Sequence, residues 1–329
     1  SGFAMGLVCL LLHLAASSAL AREPTMRRSP APRGSPVSSP SPVPFKRGGV
    51  PSMAMAMGPL AKSAAIFGAA NALGFGVSVS TNWHYHLDLI GTGVFAVSAL
   101  LVRAAGRAQQ ASACAVSLWA LKLASFLFVR VLKLKRDARL EGLLATTSGA
   151  ASFWFVSFLW GFVVSLPHTI AAGVPAAVQP ALGPTSALGV AMFAAGLTLE
   201  TAADAQKWMF KGDPANAGQF CNVGVWKLTQ HPNWFGNLLL WTGILVINLP
   251  ALVARTPGSP SWRRYWRLAL AALSPLFLWK LFDAQASGSL ESAAVAVAKY
   301  KDVPGYKEYV EMTPQLFPTF KSFLTFLTK

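Results

Sequence analysis

Acidic residues are the scarcest chemistry in this chain: 12 Asp and Glu among 329 residues, against 28 Lys and Arg, for a net charge of +16. Charged residues of both signs make up only 12%, where a soluble domain usually carries about 25%. Cysteine is nearly missing. Cys9, Cys114 and Cys221 are too far apart to frame a disulfide scaffold or a zinc knuckle, and they read as small packing residues. There is no HExxH, no CxxC, no P-loop and no GxGxxG followed by an acid, so the common metal, redox and nucleotide signatures are excluded. A nucleic-acid partner would want the basic excess gathered into a face or stripe. Here it falls in short clusters between apolar runs, the pattern of loops at a membrane surface, which excludes nucleic acid and makes the lipid bilayer the first partner. What is abundant is hydrophobic residue, 53% of the chain, with a mean hydropathy of +0.46.

The first stretch is a leader. Leu7 to Leu14 is a short apolar core behind Met5, and Ala19-Leu20-Ala21 is an A-x-A type cleavage site, so residues 1–21 read as a signal peptide. Arg22 to Ser52 holds eight Pro, six Ser and one acid, Glu23, a composition that cannot bury enough apolar surface to fold. Residues 22–58 are expected to be a disordered leader. The Arg- and Ser-rich, acid-poor character behind a signal peptide suits a plastid transit peptide, with the endoplasmic reticulum as the alternative destination.

Residues 59–329 form one polytopic membrane domain. Seven apolar runs are expected to be helices: Ala61 to Ser80, Leu87 to Val102, Ala111 to Val129, Ser152 to Ala171, Ala187 to Ala205, Asn233 to Leu252 and Trp266 to Phe282. Each approaches the ~20 residues that cross a hydrocarbon core, where only helices satisfy their own backbone groups. The fold class is therefore an all-α integral membrane protein, a bundle of about six to seven transmembrane helices. The basic link Arg130 to Glu141 and the link Gln206 to Pro232 should share the cytosol-like side, with uncharged Ala172 to Ser186 opposite. The loop carrying Arg255, Arg263 and Arg264 then breaks the rule if the sixth run crosses fully.

Two constellations can carry chemistry. Glu200, Asp204, Lys207 and Lys211 are spaced four, three and four apart, which puts them on one helical face. The lysines fit side chains reaching for the interface, whereas carboxylates at membrane depth are costly and usually functional. The stretch Gly224 to Gly243, GVWKLTQHPNWFGNLLLWTG, passes from polar loop to apolar helix. Pro232 suits the first helical position, and the free N–H groups of that turn suit a phosphate or carboxylate. Trp83-His84-Tyr85-His86 reads as an interfacial aromatic belt, and His168 as an interfacial side chain at a helix end.

These residues resemble the steroid 5-alpha-reductase C-terminal-domain type of membrane protein, a superfamily of steroid and sterol reductases with isoprenylcysteine carboxyl methyltransferases more distant. The likeness covers Phe126 to Phe320. It rests on FWFVSF at Phe153 to Phe158, the E-x-x-x-D-x-Q-K run Glu200 to Lys207, KGDPAN at Lys211 to Asn216, GVWKLTQHPNWFGN at Gly224 to Asn237, and PGYKEYVEMTPQLFP at Pro304 to Pro318. The resemblance implies NADPH in a pocket opening on the cytosol-like face. By position it implies cofactor-binding roles for Glu200, Asp204, Lys207, Lys211, Trp226, His231, Asn233, Trp234, Asn237 and Tyr306. It implies reduction of a carbon–carbon double bond in a lipophilic, steroid-like or isoprenoid substrate. The alternatives are a methyltransferase using S-adenosylmethionine and a non-catalytic membrane subunit. The family usually reads R-H-P-N-Y-F-G-E, and here Gln230 and Asn237 replace its arginine and glutamate. No acid for the reduction stands out between Leu87 and Val129, and no metal site is expected.

Overall fold

A computed structural model of the chain describes residues 57–134, 142–286 and 298–328. The expected signal peptide, and all but the last two residues of the expected leader, lie outside the described residues. What is described is helical, with no strand among the described residues.

The helices are α1 (Pro59–Thr81), α2 (Leu87–Val102), α3 (Arg107–Leu134), α4 (Thr147–Val164), α5 (Leu166–Ala172), α6 (Pro184–Gly212), α7 (Pro232–Leu252), α8 (Trp262–Ala286), α9 (Tyr306–Met312) and α10 (Phe320–Thr328). Five of them, α1, α3, α4, α6 and α7, are long and apolar enough to cross a membrane. The all-α membrane bundle is as expected, with five of the expected six to seven spans meeting that length and composition among the described residues. At 16 residues α2 is short of a span. α8 has the length, but it carries Arg263, Arg264, Arg267, Lys280 and Asp283. The run Ser152 to Ala171 is also not one helix. It breaks between α4 and α5, just before Pro167, whose ring cannot continue an incoming helix. Leu101, Leu121, Phe155 and Leu188 are among many large apolar side chains that point outward, an exposure suited to lipid rather than water.

Inside, the bundle is held by an aromatic knot. Phe95 of α2 lies 4.9 to 5.5 Å from the rings of Phe67, Trp119, Trp160 and Trp241. The most extensive helix contact is antiparallel α6 against α7, and glycine makes it possible. A methyl group added at Gly196 would lie 2.5 Å from the Gly236 carbonyl and the Leu240 N–H, and one at Gly189 would lie 2.3 Å from the Ile247 N–H. Gly236 and Gly243 face the same crowding from α6. With glycines seven apart on each helix, the two backbones touch directly, as membrane helices do where small residues line the interface.

A polar network holds one end of the bundle. His168 of α5 lies 3.0 Å from the Ala99 carbonyl through Nε2, which must therefore carry the proton. Its Nδ1 then accepts from Ser112 at 2.9 Å. Ser112 accepts in turn from Asn248 at 2.8 Å, and Asn248 accepts from Gln109 at 2.6 Å. His168 is thus buried inside the bundle and not interfacial as expected. His86 is likewise buried, stacked between Trp83 and Trp154 with Nε2 3.0 Å from the Gly74 carbonyl, so the aromatic belt reading is wrong for that residue.

Candidate functional site

At the other end of the bundle the start of α2, the second half of α3, the end of α6 and the start of α7 enclose a cavity of about 270 Å³. Glu200, Asp204, Lys207, Asn233, Trp234 and Asn237, all expected site residues, line it together. Because Arg130 and Lys207 share this cavity, the ends of α3 and α6 lie on the same side, as the charge pattern implied. α7 runs back along α6, so the loop with Arg255, Arg263 and Arg264 is at the opposite end of the bundle.

The α6–α7 seam positions the site. Glu200 is one turn beyond Gly196, and Asn237 directly follows Gly236, so backbone contact brings the two side chains into a hydrogen bond. Glu200 Oε2 also accepts from Trp119 Nε1 of α3 at 3.1 Å. One turn on, Asp204 Oδ2 pairs with Lys122 Nζ at 3.2 Å. Its partner is therefore a lysine from α3, not Lys207 or Lys211 of its own helix. Lys207 instead lies over the Trp226 ring, 4.6 Å from its centroid.

The rim is aromatic. His231 stacks on Trp234 at 4.0 Å, and Trp234 stacks on Phe282 at 5.6 Å. Burial and the Lys207 charge push the His231 pKa down to about 3, so the ring is neutral under ordinary conditions. The helix end offers less than its sequence suggested. The N–H groups of Trp234 and Phe235 both bond the His231 carbonyl, and Pro232 has none, which leaves the Asn233 N–H.

Four expected residues lie outside the cavity wall. His231 backs Trp234. Trp226 is buried and donates from Nε1 to the Ala203 carbonyl at 3.0 Å, fixing the loop to α6. Lys211 bonds the Gln219 carbonyl and the Tyr300 hydroxyl. Tyr306 packs on Phe220 and Tyr300. The tyrosine that reaches the motif loop is Tyr309, whose hydroxyl donates to the Trp226 carbonyl at 2.8 Å. Burial pushes that phenol well above its ordinary pKa. Gln230 also faces away from the cavity, donating to the carbonyls of Thr313 at 2.6 Å and Val310 at 3.2 Å.

Asp88, Trp119, Trp160 and Arg130 line the cavity without having been expected there, and Lys122 reaches its Asp204 wall. Lys122 had a signal, a lone charge in the middle of the apolar run Ala111 to Val129. Trp119 and Trp160 had none, being two of 11 tryptophans in apolar context. The inner wall (Leu123, Leu127, Phe153, Val156, Trp160 and Phe282) is apolar, while the polar wall carries carboxylates, amides and cations. Such a site can hold a flat polar group against a lipophilic one, away from water.

No curated protein and no solved structure matches the chain. A family described as "Protein of unknown function (DUF1295)" matches residues 74–313, which is most of the chain. The chain belongs to that family.

Proposed function

We propose that this protein is a membrane-embedded, NADPH-dependent reductase of a carbon–carbon double bond in a lipophilic substrate, related to the steroid 5-alpha-reductase-like membrane enzymes. The observation that carries this reading is the two-faced cavity. Asp204, Asn233, Asn237 and Glu200 meet Trp119, Trp160 and Phe282 in one enclosure at the end of the bundle.

The residues fit the cofactor. Arg130 and Lys207 line the cavity with no ion-pair partner within 4.0 Å among the described residues, which leaves both for anionic oxygens. Asn233 and Asn237 supply amide donors and acceptors for a carboxamide or ribose edge. A cavity of about 270 Å³ takes one end of a dinucleotide, and Lys211 and Lys227 sit beyond it on the same side. When bound, the cofactor supplies a hydride. The chain supplies orientation and exclusion of water. Trp119 and Asn237 fix the Glu200 carboxyl, Lys122 holds Asp204, and the stacked Trp234 and Phe282 close one wall. Asp88 at the start of α2 lines the cavity with no salt bridge among the described residues, and we assign it the proton that completes the reduction.

The two departures from the family pattern do not argue for a lost site. Gln230 points at the C-terminal segment, and Asn237 gives Glu200 a neutral partner where a second carboxylate would repel it.

The test is thermal stability of the detergent-purified full chain with NADPH, NADP⁺ and S-adenosylmethionine, followed by turnover of lipid extracts. Ligand at 100 times its Kd stabilises by about 2.7 kcal/mol. Stabilisation by NADPH with NADPH oxidation in extract is the expected result. A response to S-adenosylmethionine alone would make the protein a methyltransferase. No response to any of the three would make it a membrane subunit.

A further inference from the structure

Among the described residues, every charged side chain at the end of the bundle opposite the cavity is basic. Lys62, Arg103, Arg107, Arg255, Arg263, Arg264 and Arg267 lie there. Among the described residues no Asp or Glu does, because Asp88, Glu200 and Asp204 line the cavity and Asp213, Asp283, Asp302, Glu308 and Glu311 lie at that same end. Among the described residues this end therefore has no internal counter-charge, which suits an anion from outside the protein.

Four of these arginines converge on one cleft. Arg255, Arg263, Arg264 and Arg267 line a depression of about 340 Å³ with Thr256 and Ser259. Arg267 forms its floor, bonded through one terminal nitrogen to the Ala254 carbonyl and through the other to Thr256 Oγ1 at 3.5 Å. Its buried Nε has no hydrogen-bond partner among the described residues. Arg263 and Arg264 stand in the first turn of α8, where the helix dipole already adds positive charge and an acid would be favoured. An anion between the guanidinium groups would relieve their mutual repulsion. The neighbours indicate where that anion resides: Trp262, Tyr265 and Trp266 are all more than half exposed, and aromatic side chains of this kind sit at headgroup level. The guanidinium fork matches phosphate oxygens.

We propose that this cleft binds the phosphate of an anionic phospholipid headgroup, with Arg263, Arg264 and Arg267 on the phosphate and Trp262 and Trp266 against the glycerol and upper acyl region. The site is separate from the cavity and does not depend on the reductase reading.

The experiment measures thermal stability and equilibrium binding of the full chain in a neutral detergent. The probes are short-chain phosphatidylglycerol, the matching phosphatidylcholine and inorganic phosphate, for the parent chain and for Arg263→Gln/Arg264→Gln, neither of which takes part in the bonds of Arg267 to Ala254 and Thr256. Phosphatidylglycerol should stabilise the parent and phosphatidylcholine should not. Each arginine removed should weaken phosphatidylglycerol binding about fivefold. Equal binding of phosphatidylglycerol by parent and variant would overturn the site. Stabilisation by inorganic phosphate as large as that by the lipid, and equally sensitive to the variant, would overturn the lipid as the source of the phosphate. Trp266→Ala separates the sources again: it should weaken phosphatidylglycerol binding and leave phosphate unaffected.

Discussion

Trp119 and Glu200, 81 positions apart in sequence and on different helices, meet in one hydrogen bond, indole Nε1 to carboxyl Oε2 at 3.1 Å. The bond ties the aromatic knot at the bundle's centre to the polar wall of the cavity, since the same indole ring packs edge-on against Phe95 and Trp241. Trp119→Phe keeps most of that packing and removes the donor. It should cost about 1–3 kcal/mol in stability. In Glu200→Gln the extra cost of Trp119→Phe should shrink. A double-mutant cycle from detergent melts checks this, and strict additivity would show that the two groups do not interact.

The α6–α7 seam predicts sharp positional sensitivity among glycines. Gly196→Ala and Gly236→Ala each drive a methyl group into the opposing backbone, at 2.5 and 2.7 Å, and should destabilise by about 1–3 kcal/mol. Gly212→Ala, with nothing within 4 Å, should change stability by less than about 0.5 kcal/mol. Melting temperatures of the three variants decide the matter.

The Asp204–Lys122 pair predicts a non-additive pattern of a second kind. Removing either partner leaves a poorly solvated charge, so Asp204→Asn or Lys122→Met alone should cost about 1.5–3 kcal/mol. The double variant should cost less than the sum, because neither charge is left alone. If Asp204 also holds cofactor, Asp204→Asn should weaken NADPH about ten- to a hundredfold. Titrating NADPH into both single variants separates the structural role from the binding role.

His231 makes stability depend on pH. Its folded pKa of about 3 is below the ordinary 6.5, so between those values the unfolded chain takes up a proton that the folded chain refuses. The contribution is complete above about pH 6.5 and declines as pH falls, by up to about 1.4 kcal/mol per pH unit. His231→Phe keeps a ring on Trp234 and removes the proton. Its melting temperature should fall less than that of the parent between about pH 7 and about pH 5.

The membrane class and the polar face of α6 were legible because both are local. Apolar runs and a four-three-four spacing of charges need no knowledge of the rest of the chain. The partners of that face were not legible. Lys122, Trp119 and Asp88 reach it from α2 and α3, and no periodicity links residues 80 or more positions apart. His168 and His86 were misread for the same reason. Each looks like a lone polar residue at a helix end until Ser112, Asn248 or Trp154 arrives from another helix. The glycines of α6 and α7 were visible, but their equal spacing has meaning only once the two helices are known to be neighbours.

A seam made of bare backbone has no side chains that can rotate out of the way. α6 and α7 therefore behave as one rigid jaw, carrying Glu200, Asp204, Asn233 and Asn237 as fixed teeth. Any widening needed to admit a bulky lipid falls to the opposing jaw of α2, α3 and α4, whose contacts with the cavity are made by side chains that can repack. On the proposed reading, the welded half would set specificity for the polar ligand, and the half that gives would set tolerance for different lipophilic substrates.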